Sequence, residues 1–204
     1  DTLSSQHNLA GYKAALLAMD MLTRTVPLMM TAAGTLTSLK ALVIGVGVAG
    51  LQAIATLQRM GAQVYAADVR PEAEEQVRSL GAQFVLAEPE EINKILPLCD
   101  IVITSVLPIS GQVPKVLTVS QLCRLPQGAV VLDMAGGNVE TSIAERLLDN
   151  GHYKLLADRH LASDVATSAS LLHSRNVYQF IQRKEQLQKD KEVWQQILLT
   201  GTEV

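Results

Sequence analysis

The run VIGVGVAG places glycines at Gly45, Gly47 and Gly50, and an aspartate, Asp68, follows about 20 residues after the middle one. Between a strand and a helix, such glycines have separate uses. Gly45 lets the chain turn sharply, Gly47 lets the backbone approach a pyrophosphate with no Cβ in the way, and Gly50 lets the helix lie close on the strand. The amides that open the helix add donors and a partial positive charge for phosphates. A carboxylate at Asp68, closing the next strand, can accept two hydrogen bonds from ribose hydroxyls and repels a 2′-phosphate. The pattern predicts a dinucleotide site that favours NAD over NADP. Arg70 is the competing signal, because it either holds a 2′-phosphate or flanks the adenine and faces water.

Three glycines in six positions are a weak pattern alone, so their surroundings decide. ALVIGVGVAGLQAIATL reads as a membrane span or as strand, turn and helix. A span needs about 20 apolar residues in one helix, and the glycines would weaken it, so the strand and turn are favoured. The neighbouring segments agree. Strands are expected at Lys40 to Val46, Gln63 to Val69, Gln83 to Ala87, Asp100 to Val106, Ala129 to Met134 and Tyr153 to Ala157. Helices are expected between them at Val48 to Met60, Pro71 to Leu80, Pro89 to Leu98, near Thr118 to Arg124, and Ser142 to Leu148. Continuously apolar strands alternating with helices predict an α/β fold with a Rossmann-like, doubly wound parallel sheet. An N-terminal connecting helix from Ser4 to about Leu28, capped by Ser4 or Ser5, precedes it, and a small, polar connector follows at Thr31 to Ser38. A long C-terminal helix from about Thr167 ends in RKEQLQKDKEVWQQ, whose apolar spots are Leu187, Trp194 and Leu198. The organisation expected is 1–38 connecting helix and linker, 39–165 nucleotide-binding domain, and 166–204 C-terminal helix and tail.

Composition narrows the function. A net charge of -3 and only 3% aromatic residues offer neither the positive field nor the stacking surface of a nucleic-acid binder. Hydrophobic residues at 48% against 18% charged imply apolar surface that meets a partner or another part of the protein. Cys99 and Cys123 stand apart without a CxxC or flanking histidine, which suggests neither a disulfide framework nor a metal site. His7, His152, His160 and His173 are scattered. The chain opens on Asp1 with no apolar leader pattern, so it reads as a fragment, a processed product or an excised segment.

Taken together, SSQHNLAGYKAALLA, MMTAAGTL, VIGVGVAGLQAIATLQRMGAQVYAADVR and EQVRSLGAQFV are specific. The chain closely resembles the NAD(H)-binding alpha component of proton-translocating nicotinamide nucleotide transhydrogenases, a family related to alanine dehydrogenases. The match is dense to Val85 and looser through VITSVLP, GAVVLDMAGGN, ATSAS and LTGT. The resemblance implies direct hydride transfer between NAD(H) here and NADP(H) on a beta component, coupled to a membrane proton-channel component. It also implies a homodimer in the cytoplasm, peripheral on the inner face of the membrane, or on the matrix side if mitochondrial. It assigns Asp1 and Ser4 to the nicotinamide end of the cofactor, Val48 to the glycine turn, Asp68, Val69 and Arg70 to the ribose, and Leu107 to the nucleotide. His160 falls where the family usually has Asn or Asp near the nicotinamide.

Three departures accompany the match. The family's long mobile lid is replaced by residues 86–99 alone, the run after Asp133 is shorter, and an ALIPG-type loop becomes VLPISGQVP. The second departure removes the position where alanine dehydrogenases place a catalytic acid. A stand-alone alanine-type dehydrogenase and a non-catalytic NAD-binding module are the competing readings.

Overall fold

A computed structural model describes residues 1–107, 112–143 and 146–189, without the side chains of 184–189. Helix α1 (Thr2–Asp20) leads into an exposed hairpin of β1 (Met29–Thr31) and β2 (Gly34–Leu36). Then follow β3 (Lys40–Ile44), α2 (Val48–Arg59), β4 (Gln63–Asp68), α3 (Ala73–Ser79), β5 (Gln83–Leu86) and α4 (Pro89–Ile95). The second half runs β6 (Ile101–Thr104), α5 (Val119–Leu122), β7 (Ala129–Asp133), β8 (Arg146–Asp149), β9 (Tyr153–Ala157) and α6 (Ala166–Lys189). The main sheet is ordered β5-β4-β3-β6-β7-β9-β8, with every pair parallel except β8 and β9. This is the expected doubly wound α/β sheet.

The strands are apolar throughout because both faces are covered. Side chains alternate along a strand, so Ala41 and Val43 face one core with α1, α2 and α3, while Leu42 and Ile44 face another with α4 and α5. Helix α1 contributes only small buried residues, Gly11, Ala14, Ala15 and Ala18. A Cβ on Gly11 would stand 2.1 Å from the Ala49 carbonyl oxygen, so the contact between α1 and α2 requires glycine. No helix among the described residues is long and apolar enough to cross a membrane.

The structure corrects four local expectations. Helix α1 is capped by Asp1, whose Oδ1 accepts from Ser4 N at 3.2 Å, and it stops at Asp20 rather than near Leu28. The segment 31–38 contains β2 and closes the small hairpin, whose residues are all exposed and so show no buried face to read. Residues Arg146–Asp149 form an antiparallel edge strand instead of the end of a helix. Two side chains divert this segment from a helix. Ser142 Oγ donates to Asp133 Oδ2, and Asn150 Oδ1 accepts from His152 N and Tyr153 N around Gly151 at φ +80°, making a tight return. In the tail, α6 reaches Lys189, while Trp194 and Leu198 lie outside the described residues.

Candidate functional site

The chain builds β3, β4 and β5 outward in one direction and then crosses to β6 on the other side of β3. A crevice therefore opens past the carboxyl ends of β3 and β6, where the strand order switches. The cleft there measures about 1040 Å³ and is lined from both sides of that switch, by residues such as Gly47, Asp68, Ala87, Ser105, Lys115 and Arg159. Its size is at the upper end of small-molecule sites.

The three glycines differ in their surroundings. Gly45 sits at φ +98°, its N–H donates to Ala67 O at 2.8 Å, and its carbonyl accepts from Ser105 Oγ at 2.9 Å. The turn is thus tied to β4 and to the end of β6 at once. A Cβ on Gly50 would come within 1.9 Å of the Gly45 oxygen, which makes Gly50 the closest packing point beneath the turn. At Gly47, by contrast, a Cβ would meet nothing within 4 Å, so that backbone faces open cleft. Gly47 is also the N-cap of α2 and brings no side chain to its first amides, which leaves donors for an anion.

Asp68 ends β4 with its side chain 7% exposed and four donors around it. Oδ1 accepts from Arg70 N at 2.9 Å and from Arg70 Nε at 3.0 Å. Oδ2 accepts from Val46 N at 2.8 Å and from Arg70 Nη2 at 3.1 Å. Burial alone would push this carboxyl up, but the hydrogen bonds and charge of Arg70, with the Val46 amide, hold it below its ordinary value. The same pairing raises the Arg70 guanidinium, which also donates through Nη2 to Val46 O at 3.0 Å.

Of the residues singled out from sequence, Gly45, Gly47, Val48, Asp68, Val69, Arg70 and Leu107 line this cleft together, and Gly50 lies beneath it. Asp1 and Ser4 are not among the lining residues; they bond to each other at the start of α1, Ser4 Oγ donating to Asp1 Oδ2 at 2.8 Å. Helix α1 reaches the cleft through His7 and Ala10 instead. His160 likewise stands off the lining, its N–H donating to Asp158 Oδ1 at 2.7 Å, while the adjacent Arg159 lines the wall. Only Ala87 and Glu88 separate β5 from α4, and Pro89, Ile92 and Asn93 of α4 form the wall directly.

Two further residues shape the site. Fully buried Asn138 accepts from Val106 N at 2.9 Å and donates to Val106 O at 2.8 Å and to Pro114 O at 2.9 Å. It thereby fixes both flanks of the loop after β6. Asp133, at the end of β7, has both oxygens in the turn that follows: Ala135 N and Gly136 N donate to Oδ1, and Val139 N and Ser142 Oγ donate to Oδ2. It holds the AGGN turn together and presents no free oxygen. The GGN spelling was the visible signal for both roles.

Strand order, glycine turn and cleft define the class: a Rossmann-like α/β domain with its ligand crevice at the topological switch point. The chain belongs to the alanine dehydrogenase/PNT family, whose C-terminal domain matches residues 14–203. It is 36% identical over 229 residues to a protein of Rickettsia prowazekii named as the first portion of NAD(P) transhydrogenase subunit alpha, covering 98% of this chain and 60% of that one. The Rhodospirillum rubrum protein of the same name is also 36% identical, over 89% of this chain and 54% of its own length. A solved transhydrogenase structure from Sinorhizobium meliloti superposes with TM-score 0.84 at 44% identity, over 89% of this chain and 55% of the other. The chain thus spans a little over half the length of these three proteins. An L-alanine dehydrogenase structure shares the fold, with TM-score 0.73 at 17% identity.

Proposed function

We propose that the chain is the NAD(H)-binding component of a proton-translocating transhydrogenase, exchanging hydride between NAD(H) in this cleft and NADP(H) on a beta component. The observation that carries the reading is the juxtaposition of the open Gly47 backbone with buried Asp68, in a chain whose relatives bear the transhydrogenase alpha name. The residues present fit the nucleotide. A pyrophosphate would take the amides opening α2 beside Gly47, where no Cβ stands, and the adenine ribose would take Asp68. Lys115 and Arg159, which line the cleft and form no ion pair among the described residues, supply positive charge for the phosphates.

The bound nicotinamide would supply the hydride chemistry itself. The chain has to hold and orient it: Ser105 fixes the glycine turn, and Asn138 fixes the wall at Val106 and Leu107. No side chain is asked to donate or remove a proton. This favours transhydrogenation over an alanine-type dehydrogenase, because the shortened run after Asp133 leaves no position for the latter's catalytic acid.

The remaining elements of the reading follow the family. The component works with the beta subunit and a membrane proton channel, peripheral on the inner face of the membrane, and pairs with a second copy. The exposed Leu28, Met29, Met30 and Leu36 around the hairpin are the apolar surface that supports such pairing. Residues 39–165 form the nucleotide-binding unit, flanked by 1–38 and 166–204.

The test is NADH-dependent reduction of a thionicotinamide or acetylpyridine nucleotide analogue, with and without an NADP-binding partner. Turnover that appears only with the partner is expected. Pyruvate- and ammonia-dependent NADH oxidation by the chain alone would replace this reading with the dehydrogenase. NADH binding without turnover in any pairing would make the chain a non-catalytic module.

A further inference from the structure

We propose that Arg70 is a built-in competitor for the ribose: its guanidinium holds the two acceptor sites on Asp68 that a ribose diol must take, so a nucleotide binds by displacing it. The proposal rests on the cleft being a dinucleotide site.

An ionised carboxylate offers about four lone-pair sites. On Asp68 four donors fill them, and the four are of two kinds. Val46 N and Arg70 N are backbone donors fixed by the fold. Arg70 Nε and Nη2 belong to a side chain that is 60% exposed. A vicinal diol also brings two O–H donors. It can satisfy Asp68 only in place of the guanidinium, since the backbone donors cannot leave. Two bonds are thus exchanged for two, and Arg70 additionally surrenders its bond to Val46 O. The hydroxyls gain nothing in number, so the ion pair subtracts directly from nucleotide affinity.

The released guanidinium has somewhere to go. It extends into water at the cleft mouth, on an exposed stem, with the Glu72 charge favouring its own. There it stands beside the ribose and attracts a 2′-phosphate. Asp68 and Arg70 therefore act on the 2′ position with opposite signs. Asp68 selects the diol, and the displaced Arg70 softens the rejection of its phosphorylated form.

The experiment is calorimetric titration of wild type, Arg70→Ala and Arg70→Gln with NADH and with NADPH at constant ionic strength. Arg70→Ala is expected to bind NADH about fivefold more tightly, the upper range for a solvent-facing ion pair. It should bind NADPH more weakly than wild type, with Arg70→Gln between the two. Opposite changes for two ligands cannot come from impaired folding. NADH affinity that is unchanged or weaker in Arg70→Ala overturns the competition, and NADPH affinity that does not fall overturns the role at the 2′ position. Failure of wild type to bind NADH at all would instead overturn the cofactor reading.

Discussion

Asn138 grips Val106 from both sides, accepting from its N–H at 2.9 Å and donating to its carbonyl at 2.8 Å, as a neighbouring strand would. A third bond to Pro114 O draws the other flank of the loop to the same side chain. Asn138→Ala leaves three part-buried backbone groups without their partner. It should lower folding stability by about 2–4 kcal/mol, measured by urea denaturation, and weaken NADH binding because Val106, Leu107 and Val116 line the cleft. Unchanged stability would show that the clamp is dispensable.

Gly47 and Gly50 lie three residues apart and should respond oppositely to one added methyl. Gly47→Ala puts a Cβ into open cleft, so the thermal melting curve should barely move, while NADH affinity falls at least about tenfold. Gly50→Ala drives a Cβ to 1.9 Å from the Gly45 oxygen and should destabilise the whole domain. A Gly47→Ala protein that still binds NADH normally would place the pyrophosphate elsewhere.

Asp68 links stability to acid. Its carboxyl lies below 3.8 in the folded chain, so the ionised form is favoured by folding. That contribution is complete above the unfolded value and disappears as pH falls through the lower folded value. The stability gap between wild type and Asp68→Asn should therefore be flat from about pH 5 to pH 8 and narrow below pH 3.8. Denaturation series at successive pH values measure it, and a gap that widens in acid would contradict the pairing with Arg70.

The two thiols should separate cleanly. Burial pushes Cys99 up to about 12 and its Sγ–H donates to Ile95 O, whereas Cys123 is exposed. A disulfide thiol reagent at pH 8 should label Cys123 in the native protein and reach Cys99 only after denaturation. Rapid native labelling of both would mean that the core around α4 opens readily.

The glycine turn was legible because backbone geometry restricts the residue types allowed at Gly45 and close packing those at Gly50, and Asp68 because it closes a strand about 20 residues further on. The parallel strands were legible because burial on both faces leaves uninterrupted runs such as ALVI and IVIT. The edge strand Arg146–Asp149 was not, since one hairpin with a partly wet face carries no such run, and its decisive contacts come from Ser142 and Asn150. Side-chain direction was also hidden. Sequence marks Arg70 as a neighbour of Asp68, but only the folded chain shows it turned back to fill the carboxylate. Arg159 and His160 are adjacent letters, and only the path of the chain after β9 decides which one meets the cleft. Asn138 spelled a piece of a recognisable turn, yet its partners lie 32 and 24 residues away.

The contact of Gly11 with Ala49 also has a mechanical meaning. With no side chain between them, the backbone of α1 rests against the carbonyl of the first turn of α2, within a few residues of Gly47. The two helices are keyed together there, and α1 cannot slip along its neighbour without lifting the glycine turn. The first helix thus sets the height of that turn above the sheet.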